Sequence, residues 1–151
     1  RLRLDLTVNI LTNHAVNKHE INVFGGGQKR PNLHIEDMTD LYIFLLSQPD
    51  AKVHKKIYNV GFQNYTVMEI AEKVKKIIGP DIPIKVVPTD DNRSYHVSSE
   101  KIKRELGFSA RHTIEDAVSD LKAAFANGLI PEPLTDKRYY NIKVMQSVNL
   151  K

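Results

Sequence analysis

The stretch Ile21 to Met38, INVFGGGQKRPNLHIEDM, constrains this chain more than any other. Ile21, Val23 and Phe24 suggest a short strand, and Gly25-Gly26-Gly27 ends it. The triplet resembles a phosphate loop only superficially. A dinucleotide loop spaces its glycines so that they open a helix, with an acidic residue about 20 positions on. Here Pro31 and an apolar strand over Pro31 to Ile35 follow, so the triplet predicts a hairpin turn that tolerates positive φ. Asp37 is placed to cap the next helix by accepting a free backbone N–H, a structural role preferred over that of a catalytic acid. That helix should carry Met38, Leu41, Tyr42 and Leu45 on one face and stop before Pro49.

The flanking sequence supplies helices around this centre. Leu4, Val8, Leu11 and Ala15 recur at helical spacing, which predicts a helix near residues 4 to 17. Asn9 and Asn13 lie on it one turn apart, either on a polar outer face or facing a ligand. Ile57 to Val60 is a strand candidate and Gly61 to Tyr65 a turn. Thr66 with Glu69 fits a capping box, opening a helix through Val67, Ile70, Ala71, Val74 and Ile78 that Gly79-Pro80 stops. Ile82 to Val87 should be a strand, with Pro83 pushing its start toward an edge. Tyr95 to Val97 should be extended, Ser98 or Ser99 should cap a short helix, and Gly107 should end it. Thr113 with Asp116 opens a last helix carrying Ile114, Ala117, Val118, Leu121 and Phe125, closed by Gly128. Beyond Pro131 the periodicity is weak, and a tail wrapped on the surface is expected. The fold class is α/β: a small mixed α/β unit with short strands and about five helices. Too few long apolar strands are present for a complete doubly wound nucleotide-binding domain.

Composition removes several classes of function. The 151 residues suit one domain, and no apolar run reaches the roughly 18 residues of a membrane helix. With no cysteine there is no disulfide or zinc-thiolate site, which fits a cytoplasmic protein. The 22 basic residues outnumber 18 acidic ones by a net +4, but they are scattered or alternate with acids on predicted helices, so neither nucleic acid nor membrane is expected as a partner. The opening Arg1-Leu2-Arg3-Leu4-Asp5, without an initiator methionine, reads as part of a longer chain.

The catalytic templates fail one by one. The histidines at 14, 19, 34, 54, 96 and 112 form no H-E-x-x-H, and no metal site is predicted. There is no G-x-S-x-G. Tyr139 and Lys143 form a Y-x-x-x-K, a spacing suited to proton transfer because an ammonium lowers a phenol pKa, but two fixed positions in a ragged tail carry little weight. No residue is assigned a catalytic role. What remains is a pair of arginines at loop–strand junctions, Arg30 after the glycine turn and Arg93 after Asp90, Asp91 and Asn92. A guanidinium fork matches phosphate oxygens two at a time. On composition alone a surface salt bridge is the favoured role for each, and nothing local shows that the two converge.

The runs Q-K-R-P-N-L-H-I-E-D-M, Y-N-V-G-F-Q-N-Y-T-V-M-E-I-A and R-S-Y-H-V-S-S-E-K-I-K-R-E-L-G-F resemble, in order and spacing, the carboxy-terminal half of the extended short-chain dehydrogenases. These are the NAD-dependent sugar-nucleotide epimerases and dehydratases. The likeness covers residues 1 to 127, and Arg1-Leu2-Arg3-Leu4-Asp5-Leu6-Thr7-Val8-Asn9 looks like the segment after the family's catalytic region. The resemblance implies that residues 1–130 bind a nucleotide-diphosphate sugar, with 131–151 a tail. Arg30 and Arg93 match arginines that contact the substrate phosphates. Val23 and Phe24 match the strand that passes the nucleobase, while Asn9, Tyr95 and Asn59 match positions near the substrate or its nucleotide. NAD or NADP would be bound by a Rossmann half missing from this chain, which alone is expected to be inactive and to hold no cofactor. A homodimer stays open for the parent. So do the base, the sugar, and epimerase against dehydratase against reductase. Tyr139 and Lys143 are not carried over, since the family's catalytic pair lies upstream. Ser98 stands where the motif often has aspartate.

Overall fold

A computed structural model describes residues 1–91 and 93–148. Helix α1 (Thr7–Lys18) leads into strand β1 (Ile21–Phe24), the glycine turn, strand β2 (Lys29–Asn32) and helix α2 (Ile35–Leu46). A short α3 (Asp50–Val53) precedes β3 (Gln63–Thr66), α4 (Val67–Ile78), β4 (Ile84–Val87), α5 (Glu100–Leu106) and α6 (Ile114–Ala126). The tail adds a 3-10 turn (Lys137–Tyr139) and α7 (Asn141–Ser147). The mixed α/β class with short strands holds, but there are seven α-helices among the described residues rather than five.

Amphipathic spacing builds the core. Leu11 and Ala15 of α1, Ile70, Ala71 and Val74 of α4, and Ile114 and Val118 of α6 close over Ile21 and Val23 of β1. Burying a set of this kind is the main favourable contribution to folding, at roughly 25 cal/mol per Å² of apolar surface. Helix α4 is sharply bounded because its ends are chemically satisfied. The Thr66 hydroxyl accepts the Glu69 N–H at 3.1 Å, the Glu69 carboxylate accepts the Thr66 N–H at 2.7 Å, and Gly79 follows its last turn. Thr113 and Asp116 make the same box for α6.

The sheets depart from expectation. β1 pairs with β4 in parallel, Ile21 opposite Ile84, while β2 pairs antiparallel with β3, Arg30 opposite Tyr65. The glycine triplet is therefore no hairpin: it carries the chain from one two-stranded sheet to the other. Positive φ is present, at 76° for Gly25 and 112° for Gly26. The strand expected at Ile57 to Val60 is absent, and the ladder forms at Gln63–Thr66 instead, largely inside the segment read as a turn. Branched residues favour a pleated surface, but a strand exists only where a partner offers its free N–H and C=O groups. β2 offers them to 63–66.

Three helix details differ. Asp37 does not cap α2: the His34 ring accepts the Glu36 N–H at 3.3 Å, and Asp37 lies buried within the first turn. Leu41 of the expected inner face of α2 is buried, but Tyr42 points outward beside Ile35, Ile43 and Leu46. Ser99 occupies the N-cap position of α5 but its hydroxyl bonds both the carbonyl and the N–H of Gly61, and it is Ser98, the other expected cap, whose hydroxyl accepts the Glu100 N–H at 3.4 Å.

The tail is anchored to α1. Asn13, expected on a polar outer face or toward a ligand, is fully buried and donates to the Pro133 carbonyl at 3.0 Å and to the Tyr140 hydroxyl at 3.3 Å. The Leu4 N–H bonds the Tyr139 carbonyl, and the Asp5 carboxylate accepts the first N–H of α7. Residues 149–151 of the expected tail lie outside the described residues.

Candidate functional site

The glycine turn and α4 are locked together by backbone chemistry. The Met68 N–H bonds the Gly26 carbonyl at 3.0 Å and the Val67 N–H bonds the Gln28 carbonyl at 3.1 Å. With Glu69 held by Thr66, the first-turn donors of α4 are spent on protein acceptors. The turn leads into β2 instead of opening a helix, so these residues do not fit a dinucleotide pyrophosphate. Gln28 completes the turn, accepting the Gly26 N–H at 2.7 Å and donating to the Phe24 carbonyl at 2.6 Å.

Beyond the turn, β2 carries Arg30 toward the irregular segment between β4 and α5. That segment is fastened to β2 and β3 from Ser94 to Val97. The Lys29 N–H bonds the Ser94 hydroxyl at 2.9 Å, the Tyr95 N–H reaches the Lys29 carbonyl, and Asn64 bonds both backbone groups of Val97. Arg30 is thereby brought to Arg93. Its Nη1 donates to the Arg93 carbonyl at 2.5 Å and to the Lys29 carbonyl at 3.0 Å. Its guanidinium carbon stands 5.5 Å from the Tyr95 ring centroid. Between the two arginines lies Asp91, forked by Arg93 Nε and Nη2 at 2.7 and 2.8 Å, with Arg30 Nη2 at 3.6 Å. The bonds from the Arg93 side chain and N–H, with Arg30 adding attraction, hold the Asp91 carboxyl well below the usual carboxylate range.

Of the residues singled out in the sequence, the fold thus gathers Arg30, Arg93 and Tyr95. Phe24 ends β1 with its ring about half exposed, its carbonyl held by Gln28. Val23 is wholly buried and spends its side chain on the core. Asn9 donates to the Arg3 carbonyl at 2.7 Å. Asn59 is exposed between α3 and β3. Tyr139 and Lys143 do not meet through the ring: the Lys143 ammonium lies over Tyr140, 4.3 Å from its centroid. Asp91 was passed over in the sequence, where an aspartate in a loop carries no mark of its partners.

A second polar cluster joins α2 to the entrance of α6. Buried Asp37 accepts the Arg111 N–H at 3.0 Å and the His112 N–H at 2.9 Å, with His112 Nδ1 also at 2.9 Å. Burial pushes the Asp37 carboxyl up, but these bonds outweigh it and hold it below its ordinary value. The same bond, with further attraction from Asp37 and Glu36, raises the His112 ring above its ordinary value. His34 stacks on His112 at 5.0 Å between centroids. Ligand atoms of His34, Glu36 and His112 lie within 4.8 Å of one another, with His112 Nε2 at 3.1 Å from Glu36 Oε2 and His34 Nε2 at 3.5 Å from Asp120 Oδ2. The cluster links α2 to the entrance of α6 by hydrogen bonds and ring stacking. A separate cavity of about 550 Å³ lies among the last turns of α1, α4 and α6, lined by Ala15, Ile78, Ile82 and Phe125 among others, and shares no residue with the arginine pair.

Comparison with known proteins gives this arrangement a family. The model of the NAD-dependent epimerase/dehydratase family matches residues 6–61. A bifunctional UDP-glucose 4-epimerase and UDP-xylose 4-epimerase of Arabidopsis thaliana is 30% identical over 113 residues, covering 67% of this chain and 32% of that protein. The UDP-glucose 4-epimerase of Corynebacterium glutamicum is 33% identical over 100 residues, 61% of this chain and 30% of its own length. In structure, the UDP-glucuronic acid 4-epimerase of Bacillus cereus, solved with UDP-glucuronic acid and NAD, aligns with a TM-score of 0.71 at 16% identity, over 83% of this chain and 41% of that one, a likeness of fold. The chain spans about a third of the length of the curated relatives it matches. The protein belongs to the NAD-dependent epimerase/dehydratase family.

Proposed function

We propose that this chain is the substrate-binding part of an NAD- or NADP-dependent nucleotide-sugar epimerase or dehydratase, with residues 1–130 receiving the nucleotide diphosphate. The observation that carries this reading is the meeting of Arg30 and Arg93, two guanidiniums from segments far apart in sequence, around one carboxylate. Two such forks can hold a pyrophosphate from two sides. Tyr95 and Phe24 are exposed aromatics beside it in sequence, suited to the sugar or base. Val23 contributes the strand, while Asn9 and Asn59 are assigned here on the resemblance alone.

The cofactor would supply the hydride chemistry in the complete enzyme. This chain's residues would hold phosphates and base remote from the reacting carbon, which orients the sugar. The rest of the parent would cover the apolar face that α2 leaves exposed at Ile35, Tyr42, Ile43 and Leu46. On this reading the chain alone turns nothing over, and NAD-dependent conversion of a nucleotide sugar by it would refute that part.

Titration with UDP, dTDP, GDP and CDP, beside an intact mass, tests the binding. We expect one diphosphate to bind and Arg30→Ala to weaken it roughly 10- to 100-fold, the loss expected for charge-assisted bonds to phosphate. Binding that survives Arg30→Ala would exclude the arginine pair. One observation favours a second reading, a nucleotide- or anion-binding module that works without a cofactor half: α1, α4, α6 and β1 enclose a core of their own. A parent gene encoding the Rossmann half would remove it. A nucleic-acid-binding domain has least support, since the 22 basic residues are scattered or alternate with acids on helices rather than forming one basic face.

A further inference from the structure

We propose that Asp91 is an internal stand-in for substrate phosphate, a carboxylate that occupies the arginine pair until a diphosphate displaces it. The inference rests on the reading of Arg30 and Arg93 as phosphate ligands.

The geometry is that of an anion already bound. Arg93 meets the two oxygens of Asp91 with two near-parallel bonds, at 2.7 and 2.8 Å, the arrangement a guanidinium also makes with two phosphate oxygens. Oδ2 faces Arg30 as well, at 3.6 Å, as a shared phosphate oxygen would. Oδ1 accepts the Arg93 N–H at 3.2 Å.

One half of the pair is fixed and the other is free to let go. The Arg30 side chain is only 17% exposed and is tied to two backbone carbonyls. The Arg93 side chain is 82% exposed, and no helix or strand holds Asp91 in place. Turning Asp91 away needs only side-chain rotation, after which both forks face an incoming ligand. Exposed ion pairs contribute little, so exchange is easy for a competitor that brings more charge and more acceptor oxygens. A monophosphate has less to offer than a diphosphate spanning both forks. Asp91 therefore raises the threshold that a ligand must pass and favours diphosphates over weaker anions, a form of selection by repulsion.

The test is a calorimetric titration of the chain and Asp91→Asn with UDP, UMP and inorganic pyrophosphate at low salt. Expected is a roughly three- to tenfold tighter binding of UDP and pyrophosphate to the variant, from one released exposed ion pair and one repulsion removed. The preference for UDP over UMP should narrow. If the chain binds UDP and Asp91→Asn binds it equally or more weakly, Asp91 positions Arg93 and the stand-in is overturned while the phosphate site survives. If neither binds any of the three ligands, the phosphate reading falls and this inference with it. Binding by the variant alone would be its strongest support. Asp91→Ser serves as a second variant should the asparagine lose its circular dichroism signature.

Discussion

Asp37 and His112 are bonded twice across 75 residues of sequence, once through the His112 backbone N–H and once through its ring, each at 2.9 Å. A carboxylate can only accept, so the ring presents Nδ1–H to Asp37, which also takes the Arg111 N–H. This one side chain ties the first turn of α2 to the entrance of α6. Asp37→Ala should strand those donors and lower stability by about 2 to 4 kcal/mol, a fall in Tm of roughly 5 to 15 °C. Thermal unfolding followed by circular dichroism reads it, and a change within 1 °C would show that the lock is not structural.

The same pair should make stability depend on pH. His112 is raised above its ordinary value of 6.5, so its contribution is complete below that pH and lost as pH rises through the folded value. Asp37 is lowered from 3.8, so its contribution is present above that pH and lost as pH falls through the folded value. Both act together between about pH 4 and 6.5. Urea midpoints should decline on the alkaline side of this window, and His112→Gln should flatten that decline. An unchanged slope in the variant would assign the dependence elsewhere.

Gly25 and Gly27 sit two residues apart and should respond in opposite ways. At Gly25, with φ of 76°, an added Cβ would come 2.7 Å from Thr89 Cγ2. Gly25→Ala should cost about 1 to 3 kcal/mol. At Gly27 a Cβ meets nothing within 4 Å, and Gly27→Ala should be neutral within about 0.5 kcal/mol. Equal effects would mean the turn is not held in this conformation.

Tyr140→Phe should loosen the tail. Its hydroxyl donates to the Pro133 carbonyl at 2.7 Å and accepts from buried Asn13 at 3.3 Å. Losing it should cost about 1 kcal/mol and speed proteolysis after residue 131 while the core keeps its protection. Cleavage at the wild-type rate would show that the tail is held without this contact.

Helices α4 and α6 were legible in the sequence because everything that specifies them is local: a capping box, an apolar stripe and, for α4, a glycine stop within one short window. The positive φ of the glycine turn was legible for the same reason. So was the family, since its motifs are contiguous runs. What the sequence could not order were relations between distant segments. Which strand pairs with β2, why Asn13 is buried, and where Asp37 points depend on groups brought up from elsewhere in the fold. The candidate site divides in the same way. Two arginines at loop edges could be named from their chemistry, but their meeting through Asp91 and the Arg93 carbonyl was decided only in three dimensions. A hydrogen bond depends on distance and angle, and neither is encoded by spacing along the chain once the partners lie in different elements.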